Sequence, residues 1–244
     1  MKLVRVMLFC SLLGMSFVGC SNSRQHKDPS WTAKPANLQV VFTGPTILNT
    51  EKDSDENDWP IFPWYYTSTM GKSPLPLATK DVLMLPEEMK KMSEWFSSNV
   101  DNTLKFNSNV HYKVNEVSKN DISYSEQDAG GDNIRVPKLT SMPDGDDVYM
   151  VLDSIQLKSY VNVMQGASTT MTSVGLTVGS TVNNNCVQIS ASYAFYEAKT
   201  AKLLDYGFLE EHQCADKKVL EHDWQNVLRD LILHTIENTP IAQF

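Results

Sequence analysis

The chain has 244 residues and a mass of 27.5 kDa, and 41% of its residues are hydrophobic, which is ample for a packed core of one medium domain or two small ones. Collagen, disorder throughout and a polytopic membrane protein are excluded. Lys+Arg 21 against Asp+Glu 29 gives a formal charge of -8; nucleic-acid binding, which needs a basic excess to neutralise phosphates, is therefore not expected.

The first twenty residues read MKLVRVMLFCSLLGMSFVGC. Lys2 and Arg5 precede an uncharged run from Val6 to Val18, which at 1.5 Å per residue spans about 20 Å, well short of the roughly 30 Å hydrocarbon core. Such a run is an export signal and not a permanent anchor. Its end, Phe17, Val18, Gly19 and Cys20, resembles the lipobox of bacterial lipoproteins, with Phe17 where leucine is usual. The resemblance implies a signal peptide over residues 1–19 and a mature chain that begins at Cys20. That cysteine would carry covalent diacylglycerol and an N-acyl chain, with no other cofactor. Ser21 is not the aspartate that retains many such proteins in the inner membrane, so the resemblance points to the outer membrane, with the domain facing the periplasm. Losing Lys2 and Arg5 leaves 19 cations against 29 anions, a charge of -10.

Residues 21–36 are polar, contain Pro29 and Pro35, and show no helical or strand period, which predicts a flexible tether; with the cysteine that the resemblance implies is lipidated, it makes a segment over 20–36. A single domain is expected over 37–244. Its first strand is Leu38 to Phe42, closed by Thr43, Gly44 and Pro45. A long loop, 44–84, carries an acidic run from Glu51 to Asp58 and then WPIFPWYY, in which Trp59, Phe62, Trp64, Tyr65 and Tyr66 are a candidate docking patch or a lid over the core. Pro86 to Leu104 is the first helix: proline suits a first helical position, Glu87 and Glu88 favour the positive end of the dipole, and Met89, Met92, Phe96 and Val100 share a face. His111 to Val117 alternates as a half-buried strand, whereas 118–145 is polar, acidic and aperiodic and is expected to be a second long loop.

Asp147 to Val163 reads as one long strand or two consecutive ones, and Val187 to Phe195 alternates strictly. Leu203 to Leu209 follows after a turn, which predicts a hairpin. The last helix is expected from Lys217 to Asn238, with Asp216 as its cap and Pro240 as its stop. Together these elements predict an α/β (α+β) fold, a single mixed, largely antiparallel sheet with two principal helices packed on it. The order of elements, and the segment YAFYEAKTAKLLDYG over residues 193–207, resemble the small domain of penicillin-binding-protein activators, the curli-secretion lipoprotein and the amino-terminal domain of the Tol-system propeller protein. Glu197 and Ala201 stand where that group has aspartate and glycine, and no functional residue is carried over.

Between Lys158 and Glu197 lie 38 residues without Asp, Glu, Lys or Arg, in a chain that is 20% charged. Independent scattering would leave a window of that length uncharged only about two times in ten thousand. An uncharged hairpin over 160–196 is expected, with Met171 and Leu176 near its tip as candidate partner-facing residues. It reads as a flexible polar tip, as a surface facing a protein or glycan, or as an element that enters the membrane.

Cys10 leaves with the signal, so Cys186 and Cys214 are the two cysteines free to pair in an oxidising compartment. Matching the apolar stripe of 187–195 to Leu204, Tyr206 and Phe208 sets these two one residue out of register, and the sequence leaves their disulfide open. Catalytic patterns are scarce. His212, Cys214 and His222 lack a zinc spacing, and Asp53, Asp55 and Asn57 open a calcium loop in which Asp58 and Trp64 occupy the glycine and glutamate positions. The sequence thus predicts no catalytic residue and no metal. It predicts a non-catalytic outer-membrane lipoprotein, held to the membrane by its lipid, that binds an envelope protein or peptidoglycan. The alternatives are a subunit of a secretion or pore complex with a membrane-inserting hairpin and, less favoured, an envelope hydrolase.

Overall fold

The computed structural model of the chain describes residues 22–49, 86–142, 147–165, 171–172, 175–176, 181–215 and 219–243. It is a mixed α+β fold built on a seven-stranded sheet. In chain order the strands are β1 (Asn22–Lys27), β2 (Asn37–Thr43), β3 (Thr46–Asn49), β4 (His111–Val117), β5 (Ile122–Ala129), β6 (Asp132–Leu139), β7 (Val148–Gln165), β8 (Met171–Thr172), β9 (Gly175–Leu176), β10 (Thr181–Glu197) and β11 (Leu203–Ala215). The helices are α1 (Pro86–Asn107) and α2 (Glu221–Ile236). The sheet runs β1-β11-β10-β7-β2-β4, with β3 added to β7 beyond the end of β2. The β2/β4, β2/β7 and β3/β7 pairs are parallel and the rest antiparallel.

Both helices cover one face. Met92, Phe96, Val100 and Leu104, at spacings of four residues, meet Trp224, Val227, Leu228, Leu231 and Ile232 of α2 and the inward residues Val40, Phe42, Met150, Leu152, Tyr193 and Phe195 of the sheet. The Phe42 and Phe96 rings lie 4.9 Å apart. The helix α2 starts at Glu221, later than the expected Lys217, and its opening is held by Asp223, whose carboxylate accepts the Leu220 N–H at 2.8 Å.

The other face is covered by residues expected to form a loop. Within 118–145, β5 and β6 pair from Ile122↔Leu139 to Ala129↔Asp132 around Gly130 and Gly131, whose φ angles of 70° and 93° give the left-handed pair that a tight two-residue hairpin needs. Ile122, Ala129, Ile134, Val136 and Leu139 press on Val41, Tyr149, Val151, Ala194, Tyr196 and Tyr206. The middle of the sheet is therefore buried on both sides.

The expected tether departs from a free linker at two points. Asn22–Lys27 forms edge strand β1, paired antiparallel to β11 from Asn22↔Glu210 to Lys27↔Asp205, and Trp31 is buried against Phe195 with ring centroids 5.2 Å apart. Gly207 makes the edge possible, because a Cβ there would lie 2.6 Å from the Arg24 carbonyl oxygen and 2.7 Å from the Tyr193 ring. Of the other expected long loop, 44–84, residues 46–49 form β3 and those from 50 onward lie outside the described residues.

Candidate functional site

The candidate site is one end of the sheet, where β7 and β10 outrun their neighbours. β2 accompanies β7 only to Leu152, β3 only to Ser159, and β11 accompanies β10 only from Asn185 onward. Past those points, among the described strands, the two pair only with each other, from Asn184↔Asn162 to Thr181↔Gln165, and this part is called the arm below. In the sequence beyond the paired ends, Met171 and Leu176 are opposed across the short pair β8/β9. The expected hairpin 160–196 is thus an extension of two core strands and has its root inside the sheet.

Continuity of β7 depends on a bulge. Gln156 faces Ser190 but Asp153 faces Ser192, so two β7 residues oppose Ala191, and Ser154 takes φ 54°. The extra residue keeps apolar side chains on the helix face along the whole strand: Met150 and Leu152 before it, Ile155 and Leu157 after it. It also leaves Asp153, 1% exposed, pointing to the β5–β6 side. Three hydroxyls donate to that carboxylate: Thr43 at 2.6 Å, Ser154 at 2.8 Å and, from β5, Tyr124 at 3.0 Å. Burial alone would raise the Asp153 pKa, but these donors and the Ser154 N–H more than offset it and hold the carboxyl below its ordinary value. Arg135 stacks 3.5 Å above the Tyr124 ring. Every donor is committed to one carboxylate, so the cluster acts as a latch between the hairpin β5–β6 and the sheet.

At the root of the arm Cys186 and Cys214 are directly opposed and bonded, with Cα atoms 4.0 Å apart. The expected one-residue offset does not occur. It assumed a single buried face, whereas Ala194 and Tyr206 pack beneath β5–β6 while Tyr193 and Phe195 pack beneath the helices. With both faces buried, stripe matching does not select the register. The bridge closes a 28-residue separation, for which the chain-entropy model gives about 3–4 kcal/mol.

Two buried acids on β11 face the helix side. Asp205 accepts the Tyr193 hydroxyl at 3.0 Å, and burial pushes its pKa up to about 7 against the opposing pull of Tyr193 and Lys27. Glu211 lies 2.6 Å from His234 Nδ1, and burial raises its carboxyl above the ordinary value although His234 opposes this. The pair ties β11 to α2, whose last turn also receives Gln25 on the His234 carbonyl oxygen, and Lys27 donates to the Asn238 carbonyl oxygen just past the helix. No group of His, Cys, Asp and Glu among the described residues is arranged to hold a metal. An open groove of about 410 Å³ at the opposite end is lined by Lys34, Pro35, Ala36, Asn109, Val110 and His111.

Of the residues singled out in the sequence, Cys186 and Cys214 come together, and Met171 and Leu176 are opposed. Cys20, Trp59, Phe62, Trp64, Tyr65 and Tyr66 lie outside the described residues. The chain around the aromatic run nevertheless departs and returns at the arm end: Asn49 pairs with Ser159, and α1 runs antiparallel to β2, with Ser93 near Gly44 and the Tyr112 hydroxyl donating to the Asp101 carbonyl oxygen. Sequence reasoning missed Asp153, Tyr124 and the β5–β6 cover, although Gly130-Gly131 between Ile122 and Ile134 was a usable hairpin signal.

No family model matches the chain, and no curated protein matches it. Among solved structures it is similar to the PelC dodecamer from Paraburkholderia phytofirmans, at 9% identity and a TM-score of 0.31 over 88% of this chain and 95% of that one. It is also similar to a homolog of the neuraminyllactose-binding hemagglutinin from Helicobacter pylori, at 10% identity and a TM-score of 0.32 over 84% and 83%. Scores this low carry no inference about mechanism. Among the described residues no helix is long and apolar enough to cross a membrane.

Proposed function

We propose that the protein is a non-catalytic, lipid-anchored module of the bacterial outer membrane that faces the periplasm and binds or assembles with an envelope protein or peptidoglycan. The reading is carried by the bonded pair Cys186–Cys214, which belongs to an oxidising compartment, in a chain whose first twenty residues have the form of an export signal ending on Cys20. Two separate parts of the chain, one covalent bond in the domain and one address at its start, point to the same side of the inner membrane. The non-catalytic part of this reading is supported by the pairing of the buried acids Asp153, Asp205 and Glu211 with Thr43, Tyr193 and His234 within the fold.

Attachment is through diacylglycerol and an N-acyl chain on Cys20, and more than one chain makes such anchoring stable. Candidate partner surfaces are the aromatic run Trp59 to Tyr66 and the arm with Met171 and Leu176 beyond it. A Cys20→Ala variant should lose acyl labelling and leave the membrane fraction, while its Cys186–Cys214 bond still forms. Retention of a mature-size, unacylated protein in the membrane contradicts the reading.

A further inference from the structure

We infer that β1 is a releasable hold on the chain that leads to the domain: Asn22–Lys27 leaves the edge of the sheet while the rest of the fold stays intact, and the domain then hangs from the turn at Asp28–Trp31. The inference deepens the proposed anchoring at Cys20, on which its consequence for reach rests. The opening of β1 itself does not depend on acylation.

β1 differs in kind from the other strands of the seven-stranded sheet. Its sequence, Asn-Ser-Arg-Gln-His-Lys, contains no apolar side chain. Ser23, Arg24 and His26 are exposed, and Gln25 and Lys27 are half-buried. Even the short β3 buries Ile47, and β4, at the opposite edge, packs Tyr112 and Val114 against the core. What holds β1 is its backbone ladder to β11 and a few polar contacts. Arg24 reaches Asp132 at 3.1 Å, but the two side chains are 45% and 59% exposed, where an ion pair adds little. Gln25 donates to the His234 carbonyl oxygen at 3.3 Å, Lys27 donates to that of Asn238, and the His26 ring lies 5.1 Å from that of Tyr206. Gly207 lets the strand approach closely and offers it no side chain to pack on. Peptide hydrogen bonds traded against water are nearly balanced by the entropy of ordering the strand, so without buried apolar surface β1 belongs to the low-stability end of the fold.

Release stops at the next segment. The Asp28 N–H donates to the Leu204 carbonyl oxygen at 2.8 Å, and the Trp31 N–H donates to the Asp28 carbonyl oxygen at 3.0 Å. The Asp28 carboxylate accepts the Ser30 N–H at 2.8 Å and lies 2.6 Å from Lys202 Nζ. Trp31 is 6% exposed, with its ring against Phe195. The turn therefore has the buried aromatic anchor that β1 lacks. While β1 is docked, Asn22 is tied to the Glu210 level of β11, and Ser21 alone separates it from Cys20 in the chain. Once β1 is released, the first hold is Asp28, eight residues on from Cys20, a span of up to about 27 Å at about 3.4 Å per residue. The point of suspension moves to the opposite end of β1, beside Leu204. A lipid-held domain can then turn and stand off the bilayer, which the docked strand prevents.

The test is hydrogen exchange on the acylated full chain in vesicles of phosphatidylethanolamine and phosphatidylglycerol, at urea concentrations below the unfolding transition, with fragmentation that resolves single amides. The β1 amides that point to β11 are compared with the β4 amides that point to β2, so that one edge strand of the sheet is set against the other. The expected result is exchange at least about 100-fold faster in β1 than in β4, at a rate that urea leaves unchanged, because a local opening exposes little new surface. Exchange of β1 at the β4 rate overturns the inference, as does a β1 rate that rises with urea as steeply as that of the β10 amides, since the strand then opens only with the whole domain. Arg24→Ala with Gln25→Ala should speed exchange in β1 several-fold and leave β10 unchanged; equal acceleration in both strands contradicts a separate release. A chain found to carry no acyl group on Cys20 defeats the anchoring reading and the change in reach, whereas slow β1 exchange in an acylated chain defeats the release alone, so the two failures are distinguishable.

Discussion

β7 and β10 each pass through two environments, and the same pair of strands behaves differently in each. From Val148 to Leu152 and from Tyr193 to Glu197 they lie between helices and the β5–β6 hairpin, where Leu152, Val151, Tyr193 and Ala194 are at most 1% exposed. From Asn162 to Gln165 and from Thr181 to Asn184, among the described strands, they pair only with one another. The first region contributes the stability of the domain. Ordering the second region as an extended hairpin costs conformational entropy, so its presence asks for a functional reason. The contrast separates what folds this chain from what the chain is built to touch.

The largest expected effect comes from breaking the covered half. Leu152→Ala should cost about 2–5 kcal/mol of unfolding free energy, since the site is fully buried and has no room to collapse without loss. Urea titration with the disulfide intact checks this. Replacing both bridge cysteines, Cys186→Ala with Cys214→Ala, should cost about 3–4 kcal/mol on the chain-entropy model, with the fold retained. The same titration reads it, and an unchanged midpoint would show that the root of the arm needs no staple.

A third prediction concerns pH. Burial holds the Asp205 carboxyl up to about 7, so between pH about 4 and 7 the native state keeps a proton that the unfolded chain has released. Stability from this group therefore declines as pH rises through that window, by on the order of 4 kcal/mol. Glu211 acts in the same sense and Asp153 in the opposite one. Asp205→Asn should flatten the decline, and a stability profile parallel to that of the natural protein would remove Asp205 as its source. Tyr124→Phe deletes one of three donors to Asp153 and should cost about 1–2 kcal/mol, with hydrogen exchange quickened mainly in Ile122–Leu139. The smallest effect is expected beyond the arm: deleting residues 166–180 should leave the unfolding free energy within about 0.5 kcal/mol of the natural protein. A large loss of stability there would erase the contrast between the two regions.

The sequence carried the buried half well where one period was in force. The face of α1 through Met92, Phe96 and Val100, the strand β4 and the hairpin β10–β11 follow from spacing alone. It carried poorly whatever depends on a second layer. β5 and β6 are polar because one of their faces meets water, and their few apolar contacts, Ile134 and Val136 among them, give a short signal that the acidic surroundings mask. The same hidden layer spoiled the register of Cys186 and Cys214. β1 was illegible for a different reason: Asn22 to Lys27 joins the sheet through backbone hydrogen bonds and the room left by Gly207, and an edge strand needs no apolar stripe. The arm was visible as a charge-free window, but where it leaves the sheet is a property of register, which no local pattern contains.

The most direct test of the central claim is the intact mass of the protein recovered from the membrane fraction of cells that make it. The account expects a chain that starts at Cys20, carries diacylglycerol and an N-acyl group there, and is two hydrogens lighter than its fully reduced form because Cys186 and Cys214 are joined. An unmodified 27.5 kDa chain with both thiols free would contradict it.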